Sequence, residues 1–576
     1  MALSLDGAWN LTVAGNTQQV SVPANIPFVF GESKWSRTFT LNMDNPPAVA
    51  YIQFDGIVNS GTVSLNGASL GPIYGFSETR FDVSGALIPN GDNQLVVTLD
   101  DRLSADTVPG GDVNAFLPSL GALANTIPIP WANKPGIIRS VNLVFSSQPV
   151  ITDAYVTQIF SADLSQVNLH VALRISGPLT FSTGLTAAIS LNNKIVGSCS
   201  APPQPDGSLS CEVLLQNPSL WSPESPTRYG VAVQLTDLGQ VLDNGTDKVG
   251  LRKFEARGAR FFLNNKPLFL RGICRHDIYG RDGFVASEQT LRQDIVQMKS
   301  LGLNYIRSIH YPPTEMLAQL ADEYGVLISE ELPAWAVLDQ DAVLNITAQM
   351  LTSLISRDYN RASVVSYLLG SFGVGDPPAI YIDTLASIGK TSDSSRLYSF
   401  VRDDSVSSSP GVKANGDFAV KHNLDYLAQN TYWEPSAFTN VSGAMPTKIP
   451  FLSTEWTGSE GSDRGPIGFG STLAFPNSFE NTASYSEQYQ AVKMQSTFAG
   501  IGQNVCTESR QVQCLAGVVY FDWQDVEWPA IGYFYPNHLP WLRNGLVYDD
   551  RTQKLLPAGV FSQSMNTLPG YVPYQP

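Results

Sequence analysis

The sequence predicts a multidomain fold: two successive β sandwiches followed by a (β/α)8 barrel. Three observations carry that prediction. Up to about residue 250 there are only short alternating apolar and polar runs, broken by turn residues at the spacing of all-β sandwiches. Beyond residue 257 apolar strands and amphipathic helices take turns, the pattern of right-handed βαβ units on a parallel sheet. The chain of 576 residues is long enough for about three or four domains.

Composition narrows the function classes. With 43% hydrophobic and 15% charged residues the chain buries a core and is not disordered. A net charge of -16, with no Lys/Arg cluster against it, excludes a nucleic-acid partner or an anionic membrane surface. No apolar run approaches the ~18 residues of a membrane span.

The first domain is read as residues 1–150. Its strands include Thr38-Phe-Thr-Leu-Asn-Met, Ala50-Tyr-Ile-Gln-Phe, Thr62-Val-Ser-Leu-Asn and Gln94-Leu-Val-Val-Thr-Leu, and Ser140-Val-Asn-Leu-Val-Phe145 closes it. Residues 151–256 hold a second β run about a hundred residues long, the size of one immunoglobulin-like sandwich. Residues 257–576 are the barrel. Its first three strands lead to His276, His310 and Glu330, and Ser287 is placed to cap a helix with Leu291, Ile295, Met298 and Leu301 on one face. Gly325 ends the next helix. Later strands are expected at 364–369, 397–401, 424–429, 451–454 and 518–521.

Catalytic groups of such barrels stand at the C-terminal ends of the strands. Those ends supply Arg275, His276 and Asp277; Arg307 and His310; Glu330 and Glu331; Asn430, Tyr432, Trp433 and Glu434; Glu455 and Trp456; and Phe521, Asp522 and Trp523. Carboxylates and amides set beside aromatic rings suit a sugar, whose C–H faces stack on rings while its hydroxyls need polar partners. No Gly-rich phosphate loop or Cys/His metal cluster calls for a cofactor.

These motifs resemble glycoside hydrolase family 2, the group of β-galactosidases, β-glucuronidases and β-mannosidases, over nearly the whole chain. Ser4-Leu-Asp-Gly-Ala-Trp9 and Pro135-Gly-Ile-Ile-Arg139 resemble the opening and closing motifs of the family's jelly-roll domain. Asn217-Pro-Ser-Leu-Trp221-Ser-Pro resembles the end of its central sandwich, and Gly250-Leu-Arg252 the entry to its TIM barrel. Phe262 to His276 and Arg307-Ser-Ile-His310-Tyr-Pro are the most specific matches. The resemblance implies that Glu455 is the catalytic nucleophile. It also implies that Arg307, His310, His276, Asn430 and Tyr432 bind substrate, with Phe521 a stacking platform; Trp456, next to Glu455, is placed to wall the sugar site. Structural readings stand beside these: a buried ion pair for Glu455 and Arg307, a core histidine for His276, packing for Asn430 and Tyr432. Residues 101–130, rich in Gly, Pro and Leu, read as a lid or as a surface loop.

The departure falls on the fourth barrel strand. Arg357-Asp-Tyr-Asn360 through Leu369-Gly370 matches the family's run into its acid/base, where the family then reads Asn-Glu. Here the residues are Ser371-Phe372, and a phenyl ring has no proton to donate. Three readings follow. The chain is a hydrolase of β-glycosidic bonds whose acid is relocated to Asp376, Glu330, Glu331 or Glu434. Or Glu455 acts with little acid help, on good leaving groups or in transfer or elimination chemistry. Or the chain is a non-catalytic carbohydrate-binding relative with Phe372 lining its site. The sequence names neither the sugar nor the oligomeric state.

Five cysteines bear on location. Cys199 and Cys211 flank a Pro/Gly-rich turn, as partners across a hairpin would, and Cys506 and Cys514 lie in one polar loop; Cys274 sits alone in an apolar strand. Two local disulfides point to a secreted or periplasmic protein, and the start at Met1 has no signal-peptide pattern, as in a mature form. Five reduced thiols in a cytoplasmic enzyme is the alternative.

Overall fold

The computed structural model describes residues 2–26, 31–100, 102, 104, 106–110, 134–180, 182–204, 208–279, 283–334, 340–372, 376–402, 409–431, 438, 442–456, 483–524, 526–527, 541–542, 546, 553 and 555–571. It divides into two units. The first takes in Met1–Asp101, Lys134–Lys253 and Ser353–Ala362, the second Arg102–Asn133, Phe254–Thr352 and Ser363–Pro576.

The first unit is built from antiparallel sheets. A six-stranded sheet runs, in spatial order, Asn16–Val22, Gly7–Val13, Glu32–Asn42, Asn90–Asp100, Ser60–Leu65 and Ala68–Tyr74. A four-stranded sheet runs Ala2–Ser4, Val141–Ser146, Val49–Phe54 and Thr79–Asp82. Along Asn90–Asp100 the residues Leu95, Val97 and Leu99 are buried at every second position. They join Trp9, Trp35, Ile52, Phe54 and Leu143 in one core, as the period of two requires. The second sandwich pairs a three-stranded sheet (Val150–Phe160, Gln166–Ser176, Leu209–Gln216) with a four-stranded one (Lys194–Ala201, Thr183–Leu191, Tyr229–Asp237, Gln240–Val249).

Cys199 and Cys211 form a disulfide, but not across a hairpin. Cys199 pairs in register with Ala187 in the four-stranded sheet, Cys211 with Val171 in the three-stranded one. The bond therefore clasps the two sheets to each other. Cys506 and Cys514 form the second disulfide, and Cys274 is a buried free thiol. No helix among the described residues is long and apolar enough to cross a membrane.

The second unit opens with a small antiparallel sheet (Phe254–Arg257, Arg260–Leu263, Lys266–Leu268). Eight parallel strands then close a barrel: Leu270–Arg275, Tyr305–Ser308, Leu327–Glu331, Val364–Phe372, Leu397–Arg402, Leu427–Asn430, Phe451–Trp456 and Leu515–Tyr520. Strands six and eight begin at Leu427 and Leu515, displaced from the expected 424 and 518. Two of the barrel helices carry, at one end each, the cap the chain supplies. Ser287 accepts a hydrogen bond from the Thr290 N–H, and Leu291, Ile295 and Met298 form the buried face of the helix Glu288–Ser300. The helix Glu315–Tyr324 stops at Gly325, whose φ of 73° is left-handed.

Helix Ala379–Ser392 lies close on the outer face of strand five because Gly389 has no side chain. A Cβ there would stand 2.2 Å from the Tyr398 ring, a fully buried residue stacked on Tyr367. Gly389→Ala is expected to lower the stability of the barrel by about 1–3 kcal/mol through overpacking. A drop in its urea midpoint at unchanged m-value would register this, and an unchanged midpoint would refute it.

Candidate active site

Arg307 ends barrel strand two, at a register where it pairs with Cys274 of strand one and Ser329 of strand three. Side chains on one face of a strand recur every second residue. The face that carries Ser329 therefore carries Glu331 next, while Glu330 projects from the opposite face. Across the barrel, strands six and seven bring Asn430 and Glu455 into register. Four strand ends thus converge on one guanidinium.

Arg307 is fully buried and spends its fork on two carboxylates. Nε and Nη2 donate to Glu331 Oε2 at 2.8 and 2.6 Å, and Nη1 donates to Glu455 Oε1 at 2.6 Å. The same Nη1 lies 3.2 Å from the Thr454 carbonyl and 3.4 Å from Asn430 Oδ1. Asn430 Oδ1 also accepts the Thr454 hydroxyl at 3.0 Å, which fixes the amide relative to the strand carrying Glu455. Burial works against the charge on Arg307, but Glu331 and then Glu455 outweigh it and hold the guanidinium firmly protonated.

Glu331 has a second partner. Its Oε1 meets His310 Nδ1 at 2.7 Å. Burial alone would raise the Glu331 pKa; the charges of Arg307 and His310 overcome this and lower it below its ordinary value. His310 in turn packs edge to face with His276, ring centres 5.7 Å apart. Burial, followed by the nearby positive charges of His310, Arg307 and Arg275, pushes His276 well below the ordinary histidine range and keeps it neutral. Arg275 and Asp277, from the same strand end, form a separate buried network with Tyr279 and Asp294.

The expected site residues fall into three groups. Glu455, Arg307, His310, His276 and Asn430 come together as one cluster at the strand ends. Phe521, directly after strand eight, is half-buried, its N–H bonded to the Trp456 carbonyl at 2.8 Å. Tyr432, Glu434 and most of the segment 101–130 lie outside the described residues, as does the side chain of Phe372.

Trp456 is a correction. Strand alternation turns it away from Glu455, and its fully buried indole packs on Phe498 of the helix Ala483–Gly502 and on Tyr520, at 4.7 and 4.9 Å. It is packing behind the strand, not a wall of the sugar site. The relocated-acid expectations change as well. Glu331 is hydrogen-bonded to Arg307 and His310 and its pKa lies below the ordinary value, the opposite of what a proton donor needs. Glu330 faces away from the cluster. Asp376 is 73% exposed and paired with Arg402 at 2.9 Å, so it lacks the apolar pocket that keeps a carboxyl protonated. Ser371 keeps its place in strand four, opposite Val401, and its buried hydroxyl has no hydrogen-bond partner among the described residues.

Reading strand ends as a list missed the role of Glu331 as the shared anchor of Arg307 and His310. The signal lay in the pair Glu330-Glu331: only the second falls on the face of Ser329 and Arg307.

Two family models match the chain: "Glycosyl hydrolases family 2" over residues 150–252, and "Glycosyl hydrolases family 2, TIM barrel domain" over residues 254–497. The chain belongs to glycoside hydrolase family 2. A β-galactosidase of Thermoanaerobacter pseudethanolicus is 29% identical over 322 residues, covering 54% of this chain and 41% of that enzyme. The chain thus matches less than half the length of that relative. Among solved structures, a β-glucuronidase of Ruminococcus gnavus in complex with D-glucuronic acid aligns with a TM-score of 0.78 at 19% identity, over 98% of this chain and 97% of that one. A β-glucuronidase of Bifidobacterium dentium complexed with coumarin-3-O-glucuronide aligns with 0.79 at 18% identity, over 100% and 98%. At such identities these family 2 structures bear on the fold.

The lowered Glu331 pKa sets a sign for pH dependence. A carboxylate whose folded value lies below its unfolded value of about 4.5 contributes stability above that value and loses it as the pH falls through the folded one. Glu331→Gln is expected to cost on the order of 3 kcal/mol at pH 7, because it strips a buried guanidinium of one counter-ion. The gap between wild type and variant should shrink between pH 5 and pH 3 in thermal unfolding. A gap independent of pH would show that Glu331 carries no such charge.

Proposed function

We propose that this chain hydrolyses β-glycosidic bonds of oligosaccharides or glycoconjugates, with Glu455 as the nucleophile. The observation that carries this is the Arg307–Glu455 ion pair at the end of strand seven. Attack on an anomeric carbon needs an ionised carboxylate aimed by a fixed partner. Glu455 has one in a buried guanidinium that is itself immobilised by Glu331. Family membership supports the same reading, and the neighbouring Asn430, His310 and His276 supply polar groups for sugar hydroxyls.

The proton donor does not come from the usual place. With phenylalanine at position 372, catalysis is expected to depend steeply on the leaving group. The sugar is open between the glycones of the relatives, a galactoside or a glucuronide, and others of the family. The two disulfides favour work outside the reducing cytoplasm. The same phenylalanine favours a second reading, a carbohydrate-binding relative without turnover.

The test is a panel of 2,4-dinitrophenyl β-glycosides of galactose, glucuronic acid, mannose and glucose. Wild type is expected to turn over at least one, and Glu455→Gln to lose about 1000-fold or more in kcat on it. Activity untouched by Glu455→Gln would sink the nucleophile. No turnover by wild type on any member would leave the binding reading in its place.

A further inference from the structure

We infer that His310, backed by Glu331, is the proton donor that replaces the missing carboxylic acid. The inference rests on the hydrolase reading above and names the residue that reading leaves open.

Geometry comes first. Glu455, Arg307, Glu331 and His310 form one unbroken chain, two ion pairs and a hydrogen bond, at 2.6, 2.6 and 2.7 Å. Its two middle side chains, Arg307 and Glu331, are 0% exposed, while the ends reach outward: Glu455 at 5% and His310 at 10%. The nucleophile and the imidazole are therefore the two members a substrate would meet. The interior of the chain holds them in fixed relation.

Chemistry comes second. A carboxylate hydrogen-bonded to one ring nitrogen orients an imidazole, selects its tautomer and stabilises the imidazolium. Glu331 occupies Nδ1, so any proton His310 passes to a substrate leaves from Nε2. Histidine is the side chain whose ordinary titration falls near neutrality, which suits a general acid. The charged and titratable groups around it are Glu331, Arg307 and Glu455 on the chain itself, His276 against its ring and Arg275 behind His276. Tyr311 adjoins His310 in sequence and packs on His276.

The step balances as follows. Glu455 forms a bond to the anomeric carbon as the bond to the aglycone oxygen breaks. The His310 imidazolium gives its Nε2 proton to that oxygen, releasing the alcohol. Neutral His310 then takes a proton from the water that attacks the glycosyl ester. The sugar leaves with that water's oxygen, and Glu455 carboxylate and imidazolium are restored.

The experiment compares wild type, His310→Gln and Glu331→Gln on the glycone identified by the panel. Each is assayed as the 2,4-dinitrophenyl glycoside, whose leaving group needs no proton, and as the p-methoxyphenyl glycoside, which does. His310→Gln should lose about 10²–10⁴-fold in kcat/KM on the p-methoxyphenyl substrate and less than about tenfold on the dinitrophenyl one. The wild-type profile for the p-methoxyphenyl substrate should fall on the alkaline side. Glu331→Gln should move that limb to lower pH, since it removes the anion that stabilises the imidazolium.

Equal losses on both substrates, or a wild-type profile without an alkaline limb, would overturn the assignment while leaving Glu455 as the nucleophile. If wild type turned over neither substrate, both readings would fall together. The wild-type profile and the Glu331→Gln shift stand even if His310→Gln does not fold.

Discussion

The cluster that holds Glu455 in the barrel mouth answers to the need of one buried guanidinium for anions. Arg307 is out of contact with solvent, and a buried charge is tolerated only when it is paired and its hydrogen-bonding groups are met. No single strand can do this. Glu331 comes from strand three, Glu455 and the Thr454 carbonyl from strand seven, and Asn430 from strand six. The counter-ions meet only if the sheet closes and its registers are kept. A slip of one residue in strand three would present Glu330 to the barrel interior and turn Glu331 away. The electrostatics of the site and the topology of the barrel are therefore one constraint.

That arrangement also explains how the cluster survives a phenylalanine in strand four. The bonds that orient Glu455 run among strands two, three, six and seven, and none of those described comes from Ser371. A phenylalanine in place of the family's acid at position 372 leaves the bonds that hold Glu455, the proposed nucleophile, as they are. Glu331 and Glu455, chemically alike, are set apart by their surroundings. One is sealed between Arg307 and His310, the other reaches the mouth.

Much of this was legible along the chain, and what was not has a common cause. The period of two disclosed the sandwiches, and the Ser287 cap and the Gly325 stop bounded helices because both act within one turn. Cys199 and Cys211 were paired correctly from a short separation. Spacing measures a loop and not a sheet, however, so the clasp between two sheets was hidden. Trp456 was misplaced because adjacency to Glu455 was taken as a shared site, although neighbours on a strand face opposite ways. Glu331 was offered as an acid because a strand-end list cannot show which cations converge on it. The clasp and the anchoring of Arg307 both depend on what lies across a sheet, which spacing along the chain does not record.

The charge balance of the cluster bears on what kind of acid it can hold. In the proposed mechanism Arg307 with two ionised carboxylates carries a net negative charge, and a protonated His310 would bring the four groups to neutrality. When Glu455 becomes a glycosyl ester it loses its charge, and His310 loses its own by giving up the proton. The remaining pair, Arg307 and Glu331, is neutral as well. Under the proposal, a cationic donor keeps the cluster neutral before and after the first half-reaction, in a site almost closed to water where an uncompensated charge is costly. A carboxylic acid in the same position would start from a negative cluster and end with its own charge beside Glu331. With no such acid available from position 372, the imidazole held by Glu331 is the donor we propose in its place.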